Sequence, residues 1–242
     1  MSPYFLMKNK QLENQFNSII TRLSYRYDIR NVFEALLDAM LCSITIVDEI
    51  NMTKNPISMF EPKEQEDFKI ALTLIGEIIE ANGGLHDAFG DMFMEYLSFG
   101  KNGQFFTPQP ICDMIAQMQI TELQNGKSVC DPTCGSGRML LAGAKINRNA
   151  VFFGSDIDLL CVKMSVLNLA LNSLTGEIVW GDPLALKVNA SFQIGLDFFT
   201  RFPIVIIKKN SNMFGKISEA AKSQEKDKNN HKTQQLTLFG DE

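Results

Sequence analysis

An apolar run ends in Asp131-Pro132, the glycines Gly135 and Gly137 follow, and Arg138-Met139-Leu140-Leu141 comes next. That order predicts a strand, a tight turn and a helix. Glycine admits positive φ and lets a ligand approach the backbone, while a helix N-terminus offers unpaired N–H groups and positive potential. Such a turn suits a nucleotide phosphate or the carboxylate of an amino-acid-like ligand. A triphosphate-cleaving loop needs Lys and then Ser or Thr after the last glycine, and Arg138-Met139 stands there instead. Two acids narrow the choice. Asp156 ends the next apolar run, where a carboxylate holds ribose hydroxyls, and Asp182 ends the run after that, in WGDPL, within reach of a base on the same sheet edge. The alternative is that Asp156 and Asp182 merely cap the turn or helix that follows each of them. Cys130 and Cys134 flank the turn with no second ligand pair, and His86 and His231 stand apart, so no metal site is expected.

These residues need a sheet to align them. The apolar runs Ser128–Cys130, Ala150–Gly154, Ile178–Trp180 and Ile204–Ile207 read as strands, and their lack of polar alternation fits strands covered on both faces. Between the second and third, residues 158–174 carry Leu160, Met164, Leu167, Leu171 and Leu174 at helical spacing. Strand, turn, helix and strand in this rhythm predict a parallel, doubly wound sheet of about four strands. The first hundred residues read as a helical leader. Val32, Leu36, Met40, Ile44 and Val47 form one stripe, with Asn31 and Glu34 placed as a capping box. Phe68, Leu72, Ile75 and Ile79 form a second between Pro62 and Gly83-Gly84, and Leu85, Phe89, Met92 and Tyr96 a third. Thr107-Pro108 is placed to start a short helix reaching about Met118. The expected organisation is therefore α/β: leader 1–100, sheet domain 101–210, and a polar, lysine-rich tail 211–242 expected to be disordered.

The chain has 242 residues, 23 basic and 28 acidic side chains, a formal charge of −5 and a pI near 5.2. Bulk positive charge is thus excluded as a way of gripping nucleic acid. The absence of a membrane-length apolar stretch, and of an apolar block with a cleavage site at the N-terminus, leads us to expect a cytoplasmic protein. Five cysteines, odd in number and mostly among apolar neighbours, fit reduced thiols.

GQFFTP (Gly103 to Pro108), DPTCGSGRML (Asp131 to Leu140), GSDID (Gly154 to Asp158) and GDPL (Gly181 to Leu184) resemble the ordered motifs of S-adenosylmethionine-dependent DNA adenine methyltransferases. Among these the likeness is to the modification subunits of type I restriction systems. LHDAFGDMFMEYL resembles the segment that precedes their cofactor domain, and the likeness spans about residues 85 to 207. The resemblance implies S-adenosylmethionine as cofactor, DNA as target, and methyltransferase or specificity subunits as partners. It implies that Gln104, Phe105, Phe106, Thr107, Pro108 and Gln109 close over the methionine part of the cofactor. Asp131, Thr133, Cys134, Gly135 and Gly137 line the same end, Asp156 holds the ribose, and Asp182 lies near the adenine.

One part of the family pattern is missing. Its members carry Asn or Asp, two prolines and an aromatic after the fourth strand, to hold and stack a flipped base. FPIVIIKKNS (Phe202 to Ser211) puts Lys208 at the Asn/Asp position. Lysine has donors and no acceptor, so it cannot polarise an amino group in the required sense. Asn210 comes two places late without prolines, and Asn55-Pro56 and Asp182-Pro183 lie in the wrong segments. The catalytic residue is therefore unknown, and the expectation is a cofactor-binding chain whose catalytic loop comes from a partner. The family's order puts the fourth strand inside the sheet, and an apolar strand left at an open edge invites aggregation. Its cover is expected from the leader, a second copy or another subunit. The alternatives are a non-catalytic binding protein and a decayed methyltransferase remnant. The tail ends in Gln235-Leu236-Thr237-Leu238-Phe239, which resembles the peptide that docks bacterial proteins on the DNA sliding clamp. Seven lysines between Lys208 and Lys232, against Glu219, Glu225 and Asp227, leave that stretch at +4.

Overall fold

The computed structural model describes residues 3–46, 55–97, 105–120 and 128–215, with side chains from Lys8 on. Val47, Gln104 and the peptide Gln235–Phe239 lie outside the described residues. Helices α1 (Pro3–Ser24), α2 (Ile29–Ile44), α3 (Pro62–Ala81) and α4 (Ala88–Tyr96) make up the leader, and β1 (Thr45–Ile46) follows α2. The remainder runs α5 (Gln109–Gln119), β2 (Ser128–Asp131), α6 (Arg138–Ile146), β3 (Val151–Asp156), α7 (Leu159–Leu171), β4 (Thr175–Asp182), β5 (Lys187–Leu196) and β6 (Pro203–Lys208).

The three leader stripes are core faces. Leu36, Phe68, Ile75 and Phe89 are fully enclosed, and each such side chain contributes about 1.5–3 kcal/mol relative to exposure. Two helix starts differ from expectation. Asp28 caps α2 by accepting from the Arg30 amide at 2.8 Å, one turn ahead of Asn31. An aspartate three residues earlier satisfies the first N–H groups equally well, and sequence spacing cannot choose between them. The start of α5 also moves on by one: Pro108 is its cap and Pro110 lies in its first turn. For α3 a capping box forms between Glu61 and Glu64, and Gly83 and Gly84 follow its end with positive φ.

All four expected strands are present as β2, β3, β4 and β6, but among the described residues the sheet has six strands and is mixed, in the order β1-β6-β5-β4-β3-β2. β2, β3 and β4 run parallel; β5 turns back antiparallel to β4, and β6 turns again antiparallel to β5. β5 escaped the sequence reading because Asn189, Ser191 and Gln193 interrupt it with polar residues, whereas β2, β3, β4 and β6 each hold a short, mainly apolar run. The expected cover for the fourth strand comes from the leader: Thr45 and Ile46 pair in parallel with Val205 and Ile206.

The two faces of the sheet differ. Helix α7 packs between β3–β6 on one side and α2 and α4 on the other, so it is apolar nearly all round. On the opposite face Val179 is covered by Met213 and Phe214, from a short helical turn after β6, with Phe153, Leu186 and Val188 around them.

Candidate functional site

β2 delivers Asp131 to the sheet edge, where its Oδ1 accepts the Thr133 amide at 3.0 Å and fixes the chain reversal. The Cys134 amide then donates to the Ser155 carbonyl of β3 at 2.9 Å, which pins the turn against the neighbouring strand. Gly135 and Gly137 both have positive φ, at 53° and 85°, and Gly137 caps α6. Space demands glycine as strongly as conformation does. A Cβ on Gly135 would meet the Phe106 ring at 2.9 Å, and one on Gly137 would meet Ser165 Oγ at 2.9 Å.

The turn is held from behind by side chains that point away from the sheet edge. Ser165 Oγ donates to the Gly135 carbonyl at 2.8 Å, and Asn168 Nδ2 donates to the Ser136 carbonyl at 2.8 Å. Asp87, 1% exposed, is the hub. Its Oδ2 accepts from Ser136 Oγ and from Arg138 Nε at 2.8 Å, and its Oδ1 accepts from Asn168 Nδ2 at 2.6 Å and from the Gly90 amide at 2.8 Å. Arg138 continues outward, donating from Nη2 to Asp91 and from Nη1 to the Thr107 carbonyl at 3.5 Å. One guanidinium thus joins the leader, the glycine turn and the segment before α5. Burial raises the Asp91 carboxyl above its ordinary range, against the opposing pull of Arg138.

Asp156 ends β3 beside this turn. Its Oδ2 accepts the Gly135 amide at 2.9 Å and its Oδ1 the Asp158 amide at 2.9 Å, so the acid and the turn are one rigid unit. Burial lifts both Asp131 and Asp156 above the usual carboxylate range, and the charge of Asp156 adds to the rise at Asp131. Asp182 ends β4 and accepts the Leu184 and Ala185 amides at 2.9 and 3.1 Å. Asp131, Asp156 and Asp182 therefore share one edge of the three parallel strands. Phe106 packs on Phe93 with ring centroids 5.1 Å apart and closes over Gly135, whereas Phe105 is 73% exposed. Gln109 bonds within its own helix, to Asp113 at 2.7 Å. The Cys134 thiol is enclosed, and burial pushes its pKa far up, which leaves it inert.

Lys208 falls at the end of β6, with β5, β4 and β3 between it and β2. At strand spacing that is roughly 19 Å from the turn. Sequence reasoning used Arg138 only to exclude a triphosphate loop and did not find Asp87, Ser136, Ser165 or Asn168 at all. The available signal was the pair Asp87 and Asp91, four residues apart on an otherwise apolar helix face.

The stretch that holds this edge, residues 85–198, matches the family model N-6 DNA Methylase. The chain resembles the N-6 DNA methylases. The type I restriction enzyme MpnII methylase subunit of Mycoplasma pneumoniae is 29% identical over 160 residues, 57% of this chain and 30% of that protein. The MjaVIII methylase subunit of Methanocaldococcus jannaschii is 22% identical over 177 residues, 69% of this chain and 30% of that one. Among solved structures, the type I restriction-modification methyltransferase subunit of Streptococcus thermophilus aligns with 21% identity and a TM-score of 0.34, over 52% of this chain and 28% of that one. The chain thus spans about 30% of the length of these methylase relatives.

Proposed function

We propose that this chain is the cofactor-binding part of a restriction-modification DNA adenine methyltransferase and binds S-adenosylmethionine at the edge of β2, β3 and β4. The observation that carries the reading is the glycine turn with Asp156 bonded to the Gly135 amide and Asp182 at the end of the adjoining strand. The turn's carbonyls and hydroxyl are engaged from behind, which suits a cradle open to a ligand in front. Thr133 to Gly137 and Phe105 to Pro108 would hold the methionine part, Asp156 the ribose and Asp182 the adenine. The cofactor supplies the methyl group, and a partner subunit supplies the groups that hold the target adenine in DNA, since Lys208 has no acceptor. Such an assembly works in the cytoplasm, and among the described residues no helix is long and apolar enough to cross a membrane.

Calorimetric titration with S-adenosylmethionine tests the site. Saturable binding is expected, weakened about tenfold or more by Asp156→Ala, the loss of hydrogen bonds to a charged group being worth about 1.5–3 kcal/mol. An unchanged affinity in the variant would remove Asp156 from the site, and no binding by the folded wild type would remove the cofactor reading.

The peptide Gln235 to Phe239 adds the sliding clamp as a second partner in this reading, its leucines and phenylalanine filling an apolar groove. A synthetic peptide of the last residues is expected to bind the clamp by fluorescence anisotropy and to lose binding with Leu238→Ala and Phe239→Ala. Equal binding by both peptides would discard the clamp.

A further inference from the structure

The two faces of the sheet are covered unequally. Helices α6 and α7 pack on one of them, over Val129 and Phe152. Parallel strands call for cover on both. On the other face, among the described residues, Met213 and Phe214 cover Val179, and beside them the cover stops. Val151 and Thr175, paired in register, are exposed there, and Phe153 is half-buried. A cavity of about 690 Å³ opens at this place, lined by Val151, Phe153, Thr175 and Gly176, and Gly215 lines it too. Gly215 is also where the described stretch 128–215 ends, so the chain continues from the cavity wall.

The turn that carries Met213 and Phe214 is built as the start of a helix. Ser211 caps it: its Oγ accepts the Phe214 amide at 3.1 Å and its carbonyl accepts the Gly215 amide at 3.2 Å. Glu177, 3% exposed on the sheet beneath, accepts the Asn212 amide at 3.0 Å and the Met213 amide at 3.3 Å. Every amide of the first turn is therefore taken, two of them by a carboxylate set against its positive end. Starting a helix is the costly step, and each residue added afterwards gains a bond. Gly215 has no left-handed φ, so it is not the stop that glycine often provides. The sequence beyond it has the matching pattern. At helical spacing Met213, Phe214, Ile217, Ala220 and Ala221 fall within roughly 120° of arc, with Ser218, Glu219 and Lys222 on the other side. Gln224 and Lys228 are the next residues on that arc, which ends the stripe at Ala221.

We propose that residues 216–222 continue this turn as a helix and seat Ile217, Ala220 and Ala221 in the cavity, closing the second face of the sheet. Direction and length agree. β6 runs the same way as β4, so a helix that follows it and packs on the sheet runs back along the strands, toward Thr175. From Phe214 to Ala221 such a helix advances about 10 Å, and Val179, packed with Phe214, lies about 13 Å along the strand from Thr175. The occupant is this segment rather than a second copy or another subunit because its first turn is already docked, so it enters without the entropy cost of association. The polar tether to Gln235 then starts at Ser223. The inference stands independently of the cofactor reading.

Hydrogen exchange of the full chain, read by mass, tests it. The amides of residues 217–221 are expected to exchange about tenfold or more slowly than those of residues 224–234, equally at about 1 µM and about 50 µM protein. Ile217→Asp is expected to abolish that protection while α7 keeps its own, and Ile217→Leu to retain it. Alkylation supplies a milder probe: the thiol of I217C is expected to react about tenfold or more slowly than that of S223C. Exchange of 217–221 at the rate of 224–234 in the wild type overturns the proposal, as do equal alkylation rates. Protection that survives Ile217→Asp removes the cavity as the seat, and protection that disappears on dilution assigns the cavity to a second copy; either overturns it as well.

Discussion

Asp87→Ala is expected to lower the unfolding free energy by about 3–5 kcal/mol, the cost of leaving a buried charge without its partner. For a chain of this size that moves the thermal midpoint down by roughly 6–20 °C. The magnitude follows from burial. Asp87 is 1% exposed and takes four hydrogen bonds, from Gly90, Ser136, Arg138 and Asn168, so its removal strands donors on the leader, the glycine turn and α7 together. Asp91 cannot stand in, because it already accepts from Arg138 Nη2 and lies on the more exposed side. The Arg22–Asp67 pair makes a useful contrast: its arginine side chain is half exposed, and Asp67→Ala is worth less for that reason. Adding Arg138→Met to Asp87→Ala is expected to recover part of the loss, since the uncompensated charge then disappears. Urea unfolding of the three proteins decides the matter. A loss below about 1 kcal/mol in Asp87→Ala would show that Arg138 reaches water or Thr107 without cost.

The features legible in the sequence were those set by neighbours along the chain. Gly135 and Gly137 between an apolar run and a helical stripe specify a strand, turn and helix locally, and so do Asp156 and Asp182 at the ends of their strands. Helix α7 was legible because its apolar residues recur at helical spacing. What was not legible depends on pairing across long separations. β1 is two residues long and has no pattern of its own; it exists only because β6 offers an edge to Thr45 and Ile46. β5 owes its place to pairing with β4, and its Ser191 and Gln193 face the side where Glu177 accepts from Ser191 Oγ and from the amides of Asn212 and Met213. A buried acid with three donors reads in sequence as a surface residue. The same holds for Asp87 and Arg138, which lie 51 positions apart and look like ordinary charges until the leader is packed on the turn. The leader is thus more than a preceding segment: it supplies a strand to the sheet and the carboxylate behind the glycine turn.

Gly176→Ala is expected to be among the most damaging single methyls at the described glycines, and it lies outside every motif. Gly176 pairs with Phe152 of β3 on one side and with Ile194 of β5 on the other. A Cβ built there lands on the carbonyl oxygen of Phe152, a backbone atom with no rotamer to change, and also crowds Phe152 Cα at 3.1 Å. Relief requires β3 and β4 to separate, and Phe152 is fully buried under α7, so separation opens the core as well. Overpacking that a side chain can absorb costs about 1–3 kcal/mol; a clash with backbone inside a parallel ladder belongs with the rare losses above about 4 kcal/mol. The effect reaches the site because β3 and β4 carry Asp156 and Asp182 at their far ends. Splayed strands move the two acids apart, so the proposed cofactor binding is expected to weaken together with stability. Gly195→Ala is the control: it lies in β5, and nothing stands within 4 Å of a Cβ there. Thermal unfolding should show Gly195→Ala within about 1 kcal/mol of the wild type and Gly176→Ala unfolded or nearly so at 37 °C. Equal stability in the two variants would mean that the β3–β4 approach at Phe152 is looser than the ladder places it.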